Sequence, residues 1–256
     1  MDYYLISLFI AIGFLSFRRG KVNITGYISI IVFSSVLIFT KNYGLLAGIT
    51  AMFVSSAIIT SVKQRLVVND NRSTSDDKPR NWKQGVANVG VPSVLALVHT
   101  LYPVDVFIFM SFCSLACASA DTWSSEIGVL SKSKPVFLVT RALTEKGVSG
   151  GVTSLGTAAS IMGSAVIAGV YFMFHDNLMH ALLVGTIGFI GSVMDSVIGE
   201  LFQAKYIGGN SEITDDKNAG ELARGFRIIS NNKVNFIAVT LSALLAFVIQ
   251  YLLLQD

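Results

Sequence analysis

Charge is what this sequence has least of. Only 14% of its 256 residues are Asp, Glu, Lys or Arg, against roughly 25% in soluble domains. By contrast 52% are hydrophobic, and mean hydropathy is +0.63. A soluble globular fold is excluded. Cysteine is scarce too: Cys113 and Cys117 fall in one apolar stretch, leaving neither a disulfide framework nor a Cys/His zinc pattern. They read as small packing residues of one helix face. The 3 histidines lack metal-ligand spacing such as H-E-x-x-H, and no Walker A, kinase, G-x-S-x-G or G-x-G-x-x-G motif is present. A net charge of +3 would suggest nucleic acid in a soluble protein. Here the Lys and Arg fill short gaps between apolar stretches, so they are topology signals and no nucleic-acid partner is expected.

What the sequence does have is apolar length. A helix needs about 20 mainly apolar residues to cross the hydrocarbon core, and eight stretches qualify: Tyr3 to Phe17, Thr25 to Thr40, Gly44 to Val62, Gly85 to Leu101, Val104 to Thr122, Val152 to Phe174, Leu178 to Phe202, and Val234 to Leu254. They define an all-α, polytopic transmembrane helical bundle, a single integral-membrane domain over residues 1–256. The first stretch is short, but no basic segment precedes it and no small-x-small cleavage site follows, so it reads as a retained helix. The count becomes seven if that helix lies in the interface.

With the N-terminus outside, four connections face the cytoplasm: Arg18 to Ile24, Lys63 to Gln84, Trp123 to Gly151, and Gln203 to Lys233. They carry 18 of the 19 Lys and Arg, leaving Lys41 outside. This is the positive-inside pattern. It predicts a cell-membrane protein with both termini outside.

Ionisable residues inside spans are costly and mark function by default. Asp121 and Asp195 qualify, and Asp195 lies roughly 10 Å inside its boundary at the helical rise. A short pattern recurs around them, Asp121-Thr122-x-x-x-Glu126 and Asp195-Ser196-x-x-x-Glu200. Paired carboxylates suit Mg²⁺, which takes one or two of them and completes its shell with water and substrate phosphates. The alternative is a buried carboxylate bonded to Ser192, Ser196 or a loop arginine. Glu126 and Glu200 are either ligands, supports of ligands, or solvated residues at helix ends.

The loop bearing Lys132, Lys134, Arg141 and Lys146 runs into Gly147-Val148-Ser149-Gly150-Gly151 and then the sixth span. A glycine turn before a helix N-terminus makes a phosphate cradle. Close backbone packing, helped by Gly156 and Gly163, explains it as well. The fourth and eighth spans begin at the same face, with Arg80, Asn81, Trp82, Lys83, Gln84 and Asn88 on one and Asn231, Asn232, Lys233 and Asn235 on the other. Such asparagines cap helices, bond ligands or bridge helices. His99, His175 and His180 map to the opposite face and have no catalytic role. The polar loops Asn69 to Asp77 and Gly208 to Gly225 read as solvated connectors, or as covers for a nucleotide.

The runs Arg80-Asn81-x-x-Gln84-x-x-Ala87-Asn88, Ala120-Asp121-Thr122-Trp123-Ser124-Ser125-Glu126-Ile127-Gly128, Gly147-x-x-Gly150-Gly151-Val152, Gly191-Ser192-x-x-Asp195-Ser196-x-x-Gly199, Gln203 and Asn232-x-Val234-Asn235 resemble the integral-membrane family catalogued as domain of unknown function 92. That family includes plant phytyl-phosphate kinases. The resemblance implies an enzyme that uses a nucleoside triphosphate, CTP favoured, and Mg²⁺ to phosphorylate an isoprenoid monophosphate to the diphosphate. It implies catalytic roles for Asp121, Asp195 and Glu126, with both aspartates on the metal. By position match it also gives Asn88, Gly150, Gly151, Gln203 and Asn235 as candidate substrate and nucleotide contacts, while the charge of Arg80, Lys83, Arg141 and Lys146 and the location of Gly147, Ser192 and Asn232 add these residues to the expected set. Val148 and Thr153 stand where Thr and Ser are frequent in the family, and Glu200 where a small residue is usual.

A lipid monophosphate is already an anionic nucleophile, so catalysis needs charge neutralisation and in-line alignment more than a general base. The absence of histidine at the charged face agrees with this. Alternatives are a prenol kinase, a CTP-dependent lipid-phosphate cytidylyltransferase, and a non-enzymatic transporter or lipid-binding protein using the aspartates as ion sites. Both carboxylates lie towards one face rather than the midplane where transporter sites sit. The expected partners are the nucleotide, the isoprenoid lipid and membrane lipids, and the small-residue-rich sixth span packs either within one chain or across a homodimer.

Overall fold

A computed structural model describes residues 2–66, 79–208 and 212–253. The polar stretch Asn69 to Asp77 lies outside the described residues. Each apolar stretch forms a helix: α1 (Asp2–Arg18), α2 (Ile24–Phe39), α3 (Tyr43–Leu66), α4 (Trp82–Leu101), α5 (Asp105–Gly128), α6 (Ser154–His175), α7 (Leu178–Phe202) and α8 (Asn231–Leu253). Six of them are long and apolar enough to cross a bilayer, whereas α1 and α2, at 17 and 16 residues, are shorter. The protein is an all-α polytopic bundle.

At the centre stands α5, packed by α3, α4, α6, α7 and α8. Every residue from Ile108 to Ala120 is buried. Small side chains make that possible, because Ser111, Cys113, Ser114, Ala116 and Cys117 let neighbouring backbones approach closely. A methyl group at Gly188 of α7 would stand 2.5 Å from Ala116 Cβ. On the other side the Ser119 hydroxyl donates to the Gly163 carbonyl of α6 at 2.8 Å.

In α4 the chain winds as a π-helix from Val86 to Gly90. Pro92 has no N–H for the carbonyl of Asn88, four residues before it, and the wider turn is one way a helix accommodates that loss. The N-terminus of α4 carries a capping box: Asn81 Oδ1 accepts from the amides of Lys83 and Gln84, and Gln84 Oε1 accepts from the Asn81 amide. Much of the Arg80-Asn81-x-x-Gln84 run is therefore explained by helix initiation.

The longer connections gather at one end of the bundle. Between α5 and α6, β1 (Val136–Phe137) pairs antiparallel with β2 (Gly151–Val152). After α7 the chain forms a three-stranded sheet, order β4-β3-β5, from β3 (Lys205–Ile207), β4 (Ile213–Thr214) and β5 (Glu221–Arg224). Gly208 to Gly225 thus contains paired strand and turn in its described part, while Asp216 to Glu221 are exposed, in keeping with a solvated connector. At the opposite end His175 stacks on Tyr171 and His180 packs on Phe109, with ring centroids 4.5 and 4.9 Å apart.

Candidate functional site

Three helix ends and one loop converge where the connections gather. The last turns of α5 carry Asp121 and Ser125; α7 brings Asp195 and Ser196; α8 begins at Asn231; and the turn Gly147–Gly151 lies between them. These groups enclose one cavity, which also reaches the first turn of α6 at Thr153 and Gly156. A second cavity lies on the other side of α5 and is lined by Arg80, Asn88, Glu126, Asn232 and Asn235. Asp121, Ser125 and Asn231 border both. A third, more open cleft sits against the sheet and includes Gln203, Tyr206, Asp215, Lys217 and Arg227, again with Asn231 and Asn232.

Asp121 and Asp195 face the first cavity under different constraints. Asn235 Nδ2 lies 3.3 Å from Asp121 Oδ2 and 3.4 Å from Asn88 Oδ1, so one amide ties α4, α5 and α8 together. The π-turn of α4 is the local device that carries Asn88 to this junction. Asp195 is 7% exposed, and its Oδ2 has no hydrogen-bond partner among the described residues. A buried carboxylate oxygen left this way is costly unless something else supplies positive charge. No group of three or more His, Cys, Asp or Glu forms a self-sufficient metal cage among the described residues. Two carboxylates, one with an unoccupied oxygen, nevertheless suit a hard cation that takes the rest of its shell from water and phosphate.

The glycine turn is held from both sides. Gly150 has φ +84°, and a methyl group there would stand 2.5 Å from the Glu200 amide nitrogen, so this glycine is pressed against the backbone of α7. The close-packing reading of that residue holds. Neighbouring Ser149, on the cavity wall, has its polar groups engaged by the sheet and α8. Ser149 donates its amide to Asp215 Oδ2 at 2.9 Å and its hydroxyl to Asn231 Oδ1 at 3.0 Å, and its carbonyl accepts from Lys205 Nζ at 2.6 Å. At the start of α6, Thr153 caps the helix by accepting from the Gly156 amide at 3.0 Å, a task Ser performs equally well.

The two Asp-x-x-x-x-Glu patterns are built alike. In each, the aspartate faces the cavity and the glutamate is buried as a strut. Glu126 accepts from Thr60 Oγ1 at 3.0 Å, pairs with Lys63 Nζ at 2.9 Å, and has Arg80 Nη2 at 3.8 Å. Its oxygens are directed at α3 and the entry to α4, an arrangement that suits a supporting role on the wall of the second cavity. Glu200 accepts from the amides of Val139 and Thr140 and from the Thr140 hydroxyl, each at 2.8 Å. It anchors the β1 hairpin and adds no ligand.

Several expected contacts lie elsewhere. Lys83 and Arg141 are exposed and border none of the three cavities, Arg141 standing at a hairpin turn with φ +58°. Lys146 and the buried Ser192 also lie off these walls. Gln203 is buried, donating to Asp215 Oδ2 at 3.0 Å on the edge of the third cleft. Conversely, sequence reasoning did not place Asp215 and Lys205 at the site, nor foresee that they hold Ser149 of the glycine turn. Lys205 is fully buried, 3.7 Å from Asp215 Oδ1. Burial pushes its ammonium below the usual lysine range, and the Asp215 carboxylate offsets part of that shift. Directly after a span, a lysine reads as a topology marker, and only the folded sheet reveals its burial.

Fold and site together define a polytopic membrane protein with a polar, carboxylate-bearing chamber at one end of its helices. The chain belongs to the family described as integral membrane protein DUF92, whose model matches residues 7–243. It is 26% identical to Protein PGR of Arabidopsis thaliana over 262 residues, covering 91% of each chain. It is also 28% identical to the uncharacterized membrane protein MJ0933 of Methanocaldococcus jannaschii over 190 residues, covering 73% of this chain and 77% of that one. Identity to Protein VTE6, chloroplastic, of Arabidopsis thaliana is 24% over 216 residues, 81% of this chain and 59% of the relative. No solved structure matches.

Proposed function

We propose that the protein is an isoprenoid-phosphate kinase, transferring the γ-phosphoryl group of a nucleoside triphosphate, CTP favoured, to a prenyl monophosphate at the cytoplasmic face of the membrane. The observation that carries this reading is the position of Asp121 on the wall between two polar cavities. A phosphoryl transfer between two bound anions needs donor and acceptor to meet in line at a common charged wall. The resemblance to a family that includes phytyl-phosphate kinases supplies the substrate class.

The donor belongs in the cavity of Asp195 and the glycine turn, where the Ser149 to Gly151 backbone and the start of α6 face it. The third cleft, bordering Gln203 and Asn231, is polar and open enough for the base and ribose. The acceptor phosphate belongs in the cavity of Arg80, Asn88 and Asn235. There an acceptor oxygen forms a bond to the γ-phosphorus as the bond to the β-bridging oxygen breaks, leaving a nucleoside diphosphate and a prenyl diphosphate. Asp121 and Asp195 fit Mg²⁺, which when bound supplies the charge neutralisation that phosphoryl transfer requires. Asn235 orients Asp121, while Lys63 and Thr60 orient Glu126 and through it the α3 side of the acceptor cavity. No residue need take a proton from the acceptor, since a monophosphate is ionised at neutral pH.

The test is incubation of the reconstituted protein with Mg²⁺, CTP or ATP labelled at the γ or α position, prenyl monophosphates and free prenols. Label from the γ position in a prenyl diphosphate is the expected result. Label only in a monophosphate made from a prenol indicates an alcohol kinase instead, and lipid label only from the α position indicates cytidylyl transfer.

A further inference from the structure

The acceptor cavity does not end at the polar junction. It shares Val22, Ser29, Ile30, Phe53, Arg80 and Gly85 with a long apolar groove between α1, α2 and α3. On α3 the groove follows one face for five turns, through Leu46, Ile49, Phe53, Ala57, Thr60 and Gln64, the spacing of a single helical stripe. Its polar groups are concentrated at one end, where Lys21 Nζ donates to Gln64 Oε1 at 3.0 Å beside Arg80 and Glu126. The far end is closed by Phe9, Leu37 and Leu46, all buried. From Gln64 to Leu46 the α3 wall is ~27 Å long at the helical rise, close to the ~30 Å thickness of a hydrocarbon core. Exposed Val54 and Ala57 leave the groove open to the bilayer at its side.

We infer that this groove holds the prenyl chain of the acceptor, with its phosphate at Arg80 and its tail running along α3 towards Leu46, and that the Thr50 to Leu46 floor sets the longest chain accepted. The inference rests on the kinase reading only for the identity of the head group. Three features select the occupant. The apolar wall is continuous with the acceptor cavity, so one molecule reaches both. The only cations on its wall, among the described residues, are Lys21 and Arg80 at that junction, which suits an anionic head. The groove wall, at ~27 Å, is also longer than one leaflet's ~15 Å share of the hydrocarbon core, so a single long chain fits its length better than the acyl chains of an ordinary phospholipid.

Two measurements test this. For chain length, initial rates are compared for geranyl, farnesyl and geranylgeranyl monophosphates in the unaltered protein and in Thr50→Phe, which puts a ring into the groove one turn above its floor. The preference for the geranylgeranyl over the geranyl substrate is expected to fall ~tenfold or more, the scale on which a filled pocket discriminates. For location, a geranylgeranyl monophosphate bearing a diazirine at its tail is photolysed with the unaltered protein, which requires no turnover. Label on the α3 peptide containing Leu46 to Phe53 is expected. Phosphate transfer with label elsewhere, or with a preference unmoved by Thr50→Phe, overturns the groove and leaves the kinase reading standing. Label at Leu46 to Phe53 without any phosphate transfer supports the groove and overturns the kinase reading.

Discussion

Asp121 and Asp195 line one cavity from adjacent helices, yet only Asp121 also borders the cavity on the far side of α5. The asymmetry follows from their supports. Asp121 is held near Asn235 and Asn88, while Asp195 keeps one buried oxygen without a hydrogen-bond partner. In the proposed reaction Asp121 would therefore touch both phosphates, and Asp195 only the donor.

Asp121→Asn and Asp195→Asn are each expected to lower phosphate transfer by ~10²–10³-fold or more, as loss of a charge facing a developing transition state does. Thermal unfolding in detergent should change little for Asp195→Asn, because that substitution removes a buried charge. His175→Ala and His180→Ala, at the opposite end, should retain full turnover. Turnover assays and melting curves on the same preparations separate these outcomes.

The Glu126 strut makes a prediction about stability. Lys63 and Glu126 side chains are 6% and 4% exposed, and removing Lys63 leaves the buried Glu126 carboxylate, among the described residues, with only the more distant Arg80 as a counter-charge. Lys63→Met should cost ~3–5 kcal/mol, whereas Lys63→Met combined with Glu126→Leu should recover much of that loss. Denaturation of the two variants checks it, and equal losses in both would contradict the pairing.

Gly150→Ala combines a strained φ with a collision against the α7 backbone. Backbone strain of this kind costs ~1–3 kcal/mol, and displacement of Ser149 should lower activity as well. Gly20 has φ +68° but nothing within 4 Å of an added methyl, so Gly20→Ala should cost less. Comparing the two melting temperatures isolates the collision.

Eight helices were legible in the sequence because each coincides with an apolar run, six of them long enough to cross a bilayer. The aspartates were legible because charge within an apolar run stands out. The burial of Glu126 was not legible, because α5 continues past Thr122 to Gly128 and carries an apparent helix-end carboxylate into the packed interior. The sheet that buries Lys205 depends on strand pairing that no local pattern encodes, whereas the π-turn at Asn88 had a local signal in Pro92 that the apolar-run reading did not use. Lys83 and Arg141 were grouped with the site by charge alone, and folding leaves both on the surface.

Lys205 provides a pH signature. Its folded value lies below the ordinary lysine value of 10.5, so between the two the unfolded chain binds more protons than the folded one. Stability contributed at this site therefore rises with pH across that window, and the cost of burying the ammonium is fully present below it. Unfolding of the unaltered protein and of Lys205→Met, followed from neutral pH towards 10.5, should show this rise only in the unaltered protein. Asp215→Asn should move the onset of the rise to lower pH by removing the nearest negative charge.

The most direct test of the account is a single experiment on phosphate transfer, in which γ-labelled CTP and a prenyl monophosphate are given with Mg²⁺ to reconstituted unaltered protein and to Asp121→Asn at equal amounts. The account predicts labelled prenyl diphosphate from the unaltered protein and essentially none from the variant. Equal label from both would remove Asp121 from the shared wall of the reaction, and no label from folded, unaltered protein would contradict the kinase assignment itself.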